Sequence, residues 1–200
     1  APADILIRGG RIEAVGPDLP RPPGIAVEDG RAAIAIAPFV ECHVHLDKIL
    51  WGLPWHSIDV PPSLRAMIDN EVEIRRTLPW SVRARAGNLM RQCVAMGSTH
   101  IRSHVDVDPQ VGVRSIEGVL ATREKLAGIV DIQIVAFPQW GLLSRPGTAE
   151  LMAEALRLGA DIVGGLDPAA IDRDPKGHLD LVFALAERFG RPIDIHLHEP

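Results

Sequence analysis

The side chains with the most chemistry in them stand as two histidine pairs. These are His43-Val44-His45 and His196-Leu197-His198, with Glu41, Asp47 and Glu199 as the nearest carboxylates. On a β-strand, residues i and i+2 share a face, so each pair aims two imidazoles the same way, with Glu41 and Asp47 in phase with the first pair. Imidazole suits zinc, iron, copper or nickel. A single His-x-His pair reads equally well as a polar strand end facing water. Two such pairs at strand ends of one series point instead to a shared metal site, because converging strand ends build the active sites of βα barrels. A divalent metal there would bring the pKa of bound water toward ~7, and a carboxylate within reach would act as general base and then general acid.

The stretches that must position these pairs alternate between strand and helix. Residues 5–15 carry a β pattern around Gly9-Gly10, a dipeptide suited to a hairpin turn. Residues 16–24 form a proline- and glycine-rich loop, and an apolar segment, 32–40, leads into the first histidine pair. Residues 81–96 read as a helix stopped by Gly97, 99–107 as a strand, and 113–126 as a helix ended by Gly128. Residues 130–137 read as a buried strand, 148–158 as a helix ended by Gly159, and 160–164 as a short strand. Residues 179–189 form a helix closed by Gly190, and 193–198 a final strand. With the strand at 40–45, this gives five strands and four helices in the βα order of a parallel sheet. Residues 50–79, rich in tryptophan and proline, are too long for a simple βα loop and read as a lid or insertion. An open doubly wound sheet and a barrel both fit, but no Gly-x-Gly-x-x-Gly fingerprint follows a strand, which weakens a dinucleotide reading.

Composition narrows the classes further. The 200 residues are 46% hydrophobic and 24% charged with a net charge of −5, which is globular. No basic block favours nucleic acid, and no apolar run reaches the ~18 residues of a membrane span. The first sixteen residues alternate, unlike a signal peptide. Two cysteines, Cys42 and Cys93, are too few for a disulfide framework and suit a reducing cytoplasm. A closed eight-stranded barrel needs ~250 residues, so five strands make only part of one. The absent initiator methionine and the final strand running into Pro200 lead to the expectation of a fragment cut at both ends, from a protein about twice as long.

The run Pro38-Phe39-Val40-Glu41-Cys42-His43-Val44-His45-Leu46-Asp47-Lys48 resembles the metal-binding strand of the amidohydrolase superfamily, in its cytosine deaminase branch. The likeness continues collinearly through Ile101-Arg102-Ser103-His104-Val105-Asp106-Val107 and Asp131-Ile132-Gln133-Ile134-Val135-Ala136-Phe137-Pro138-Gln139. It then covers residues 154–165 and Ile193-Asp194-Ile195-His196-Leu197-His198-Glu199. The resemblance implies an α/β fold of the TIM (β/α)8 type, with residues 37–200 as its first five βα units and residues 1–36 as part of a flanking β-sandwich. It implies His43, His45 and His196 as metal ligands, Glu199 as the proton shuttle and Gln139 as a contact to the substrate's amide edge. A further histidine and a ligand aspartate are expected beyond residue 200. Of the three lysines, Lys48, Lys125 and Lys176, none occupies the metal-bridging place of binuclear relatives, so one divalent transition metal ion, zinc or iron, is the implied cofactor.

The implied activity is hydrolysis of a C–N bond, deaminating a small nitrogen heterocycle such as cytosine or a related aminopyrimidine or triazine. The alternatives are an amidase on a cyclic or N-substituted amide, separated by whether ammonia is released, and an incomplete metal-binding barrel fragment without catalysis. The expected partner is the small heterocyclic substrate, without nucleic acid or membrane and with homo-oligomerisation open.

Other residues read as follows. His104 and Asp106 are in phase near the end of the second barrel strand and could orient substrate or metal ligands, or pair to fill the interior. His198 stands where the cytosine deaminases carry an acid. Trp140, which follows Gln139, is the best of three tryptophans (with Trp51 and Trp55) to wall a flat ring. Lys48 reads as a surface lysine, with attraction of a carbonyl or anionic group as the alternative. Cys42, out of phase with the histidines, is expected to face the helices, and His56, His100 and His178 to lie in loops or at the surface.

Overall fold

The computed structural model describes residues 2–57 and 59–197. The chain divides into two compact units, Ala1–Ala37 and Pro38–Pro200. In the first, β1 (Asp4–Arg8) and β2 (Arg11–Gly16) pair antiparallel. Gly9 and Gly10 join them at φ +56° and +74°, the left-handed pair that a tight hairpin turn with the right strand twist requires.

The second unit is a curled parallel sheet of five strands, β3 (Phe39–Val44), β4 (Ser98–Asp106), β5 (Asp131–Phe137), β6 (Ile162–Gly165) and β7 (Ile193–Ile195). The strands lie in sequence order, each hydrogen-bonded to the next. Unbroken sequential order is the barrel pattern; a doubly wound sheet would reverse at a switch point. The crossovers carry α1 (Leu64–Thr77) and α2 (Val82–Ala95), then α3 (Arg114–Lys125), α4 (Thr148–Leu158) and α5 (Pro175–Phe189). The apolar faces of α2 to α5 close on the outer face of the sheet in a core that includes Met90, Ile101, Ile116, Ile134, Met152 and Val182. A Cβ on Gly164 would collide with the carbonyl oxygen of Ala136, so the close approach of β6 to β5 uses the absence of a side chain there. Among the described residues, no helix is long and apolar enough to cross a membrane.

Local signals set most boundaries. The Ser81 hydroxyl accepts from Ala84 N at the start of α2, and Gly97 follows its end at φ +94°. Two expectations need correction. The segment 50–79 contains the fourteen-residue helix α1, capped by Ser63, whose side chain accepts from Ala66 N. Helix α5 begins at Pro175, four residues before the expected start, because Asp174 caps it and proline fits the first helical position.

That earlier turn also changes the reading of His178, which is fully buried instead of lying at the surface. Its Nδ1 lies 2.7 Å from Asp172 Oδ2, and the same carboxylate accepts from Leu142 N and Ser144 N, each at 2.9 Å. The pair ties the loop after β5 to the loop after β6. Burial pushes the Asp172 carboxyl up, but the His178 and backbone donors outweigh it and hold the group at about 2. A carboxylate depressed from 3.8 to about 2 stabilises the fold above its unfolded value, and the contribution disappears as pH falls through its folded value. Asp172→Asn is therefore expected to lower stability at pH 7 by about 2 kcal/mol, with the deficit vanishing between about pH 4 and pH 2, as read by urea unfolding.

Candidate metal centre and substrate cavity

The ends of β3, β4 and β7 gather four imidazoles, His43, His45, His104 and His196. Opposite His43, the register slips: Glu41 pairs with Ile101 but Val44 with Ser103, so β3 advances three residues while β4 advances two. This bulge re-aims the strand end. His43 and His45 come together with His196, which follows β7; one ring nitrogen from each of the three lies within 4.8 Å of the other two. Ring centroids are 5.5 Å apart for His43–His45 and 4.7 Å for His43–His196. The Phe137 ring packs 4.5 Å from His196 and 5.5 Å from His45.

The donor set fits a transition metal on two observations. His43 Nε2 and His196 Nε2 face each other at 3.2 Å. Two nitrogens each bound at 2.0–2.1 Å to one tetrahedral zinc lie about 3.3 Å apart, so the spacing is that of two ligands on one ion. Burial holds His45 at about 2, helped by the Lys48 charge, and burial holds His196 at about 4, helped by His104 and His43. Both are therefore neutral at pH 7, the form that ligates metals.

Two other groups have metal-like spacing. His45, Asp47 and Asp106 form one, but its carboxylates already have cations. Asp106, fully buried, lies 3.0 Å from Lys48 Nζ and 3.0 Å from Arg75 Nη1, and Arg75 also reaches Asp47 at 3.6 Å. Asp47 Oδ2 accepts from Asp106 N, tying the loop after β3 to the end of β4. Burial raises the Asp47 carboxyl to about 7, with the neighbouring Asp106 adding to the effect. The third group is His104, Asp194 and His196. There Asp194 is held by Arg102 at 2.8 Å and has His104 Nε2 at 3.3 Å.

A cavity of about 510 Å³ opens on the first group, lined by His43, His45, His196, Lys48, Gln139 and Glu71 among others. Gln139 thus stands with the three histidines on one cavity. His104 does not line it: the ring is buried behind His43, stacked at 4.4 Å. His104 and Asp106 do not pair with each other, since each has partners elsewhere. Trp140, expected as a substrate wall, instead packs with Ile68 and Val72 and so anchors α1, with Arg145 over its ring at 4.7 Å. Trp51 and Trp55 are exposed. Cys42 is exposed on β3 instead of facing the helices. Glu199 and His198 lie outside the described residues.

The sequence reading missed three contributors. Lys48 is no surface residue: its side chain is 10% exposed and its ammonium donates to Gln139 Oε1 at 2.8 Å. Glu71 and Arg75, one turn apart on α1, bring a carboxylate to the cavity wall and a guanidinium to the buried aspartates. The usable signal was Ser63 followed by Ile68, Val72 and Arg75, a helical stripe behind a cap.

No protein-family model matches the chain. The N-isopropylammelide isopropylaminohydrolase of Burkholderia multivorans is 51% identical, with a TM-score of 0.92 over 98% of this chain and 50% of that one. The 5-methylcytosine deaminase of Klebsiella pneumoniae, solved with 5-fluorocytosine, is 30% identical, with a TM-score of 0.73 over 97% of this chain and 47% of that one. The N-isopropylammelide isopropyl amidohydrolase of Pseudomonas sp. (strain ADP) is 30% identical over 178 residues, 86% of this chain and 43% of its own length. The chain thus spans about half the length of these relatives.

Removing one partner of a buried ion cluster leaves an uncompensated charge, at a cost of about 3 kcal/mol. Arg75→Met is expected to lower the urea-unfolding free energy by about that amount, and Arg75→Lys, which keeps the charge, by less than half of it.

Proposed function

This chain is homologous to the N-terminal half of amidohydrolase and deaminase enzymes, and from that premise we propose that the whole protein hydrolyses an exocyclic C–N bond of a small nitrogen heterocycle. The convergence of His43, His45 and His196 on one cavity is the observation that carries this reading. One divalent transition metal, zinc or iron, would be held by these three and would supply an acidified water at neutral pH. Residues 37–200 act as the first five βα units of the hydrolase barrel, and residues 1–36 contribute to a flanking β-sandwich.

The chain's own groups divide the work. The imidazoles at positions 43, 45 and 196 face the cavity, and burial keeps those at 45 and 196 neutral. Phe137 closes its floor with an apolar ring beside His45 and His196, which limits water there. Gln139 and Lys48 bind and orient the ring. His104, stacked on His43, keeps that imidazole from rotating. Glu199 takes the proton of the attacking water and returns it to the departing nitrogen. An aminotriazine or aminopyrimidine suits a cavity of this volume and polarity, and the likeness to both an isopropylammelide hydrolase and a methylcytosine deaminase supports that class. The two free cysteines, one exposed, support a reducing, cytoplasmic setting.

The test is elemental analysis of the whole protein purified without added metal, together with release of ammonia or isopropylamine from cytosine and N-isopropylammelide. The expected result is close to one transition-metal equivalent, lost in His43→Asn and His196→Asn, and turnover reduced at least about a hundredfold in both variants. Two equivalents would overturn the single-ion site. Absence of metal would overturn the hydrolase reading in favour of a non-catalytic barrel.

A further inference from the structure

We propose that Glu71 is a specificity-determining residue of the cavity: its carboxylate accepts a hydrogen bond from an N–H donor on the ligand, so that amino-substituted heterocycles are selected over rings of the same shape without amino groups. The proposal deepens the reading above, since it takes the same cavity as the substrate site.

Helix α1 aims this residue. Ile68 and Val72 are buried and pack with Trp140, and Glu71 and Arg75 continue the same stripe, three and seven residues after Ile68. Docking of that stripe on Trp140 turns Glu71 to the cavity wall, where its side chain is 32% exposed. The helix takes no part in the strand pairing, so the sheet makes no demand for a carboxylate at this position.

Charge counting shows what the carboxylate lacks. Three carboxylates, Asp47, Asp106 and Glu71, share two cations, Lys48 and Arg75. Each cation closes to 3.0 Å on the fully buried Asp106. Arg85, the next guanidinium, donates to the carbonyls of Asp47, Ile49 and Trp80. Glu71 is left with the long contacts, 3.7 Å to Lys48 Nζ and 3.4 Å to Arg75 Nε, and its Oε1 is buried without a hydrogen bond. Burial raises the Glu71 carboxyl above its ordinary value in spite of both cations. An ionised carboxylate only accepts, so the group that completes this one is a donor, and the cavity is the open side from which a donor can come. An amino group there would be paired. A methyl group would leave the carboxylate desolvated and unpaired, and an oxo oxygen would set acceptor against acceptor.

The test is calorimetric binding to the whole protein of melamine and of its trimethyl analogue, in which a methyl replaces each amino group. The two rings have nearly the same shape and the same ring nitrogens, and differ in their N–H donors. The wild-type protein is expected to bind melamine at least about tenfold more tightly than the analogue, the discrimination given by a site that would otherwise keep an unpaired polar group. In Glu71→Gln the amide oxygen would face the Lys48 and Arg75 donors and leave an NH2 toward the cavity, which should bring the ratio to within about threefold. Glu71→Met, close in length and without an acceptor, should do the same. Both variants keep Lys48 and Arg75 paired with Asp106, so the fold is expected to survive, and the wild-type comparison stands without them. The proposal is overturned if the wild type binds the two rings equally, prefers the methyl analogue or binds neither, or if either variant keeps the wild-type ratio. The hydrolase reading fails on a different observation, the absence of ammonia and amine release by the metal-loaded protein.

Discussion

Two carboxylates at the strand ends, Asp47 and Asp106, are completely removed from water, and the site is organised around that fact. A buried carboxylate is tolerable only with a cation and hydrogen bonds close at hand. Lys48 reaches Asp106 from the loop after β3, and Arg75 reaches both aspartates from α1. Each supplying element is therefore held in place by the charge it neutralises. The loop after β3 is also anchored to α2 through the carbonyls of Asp47 and Ile49, which accept from Arg85. Lys48 enters the cavity wall because Asp106 must be matched, and Gln139 is oriented because Lys48 is already there.

Beside this charged group the histidines obey the opposite rule. Burial among one another makes protonation of His45 and His196 unfavourable, since a charged imidazole would be desolvated beside other rings and beside the Lys48 ammonium. The same cation thus disfavours protonation of the histidines and offsets the charge of Asp106. Polar residues with different tasks share a few ångströms because the cations there are paired with the buried aspartates.

Much of this was legible in the sequence wherever the determining interaction is local. Ser81 and Gly97 bracket α2, Gly159 ends α4, and the Gly9-Gly10 turn needs only its own backbone angles. His43, His45 and His196 were legible because strand phase and chain order bring them together. What escaped depends on partners far along the chain. Lys48 looks like any surface lysine until Asp106 and Gln139 close on it from 58 and 91 positions away in sequence. His178 looks solvent-facing until Asp172 and an earlier helix start bury it. Trp140 follows Gln139 directly, yet its ring belongs to the packing of α1. Helix α1 hid because, among the described residues, its buried stripe is Ile68 and Val72, with the salt-bridged Arg75 on the following turn.

That helix sits in a crossover bounded by Pro61 and Pro62 on one side and Pro79 on the other, and it contributes Glu71 to the cavity wall without belonging to any strand pairing. An element attached in this way can drift in sequence while the sheet that holds the imidazoles stays in register. Divergence on such a scaffold has a cheap route to new substrate shapes, through exchange of one inserted turn of helix. A combinatorial library confined to the cavity-facing turn of α1, with Arg75 held constant, would sample that route in the laboratory.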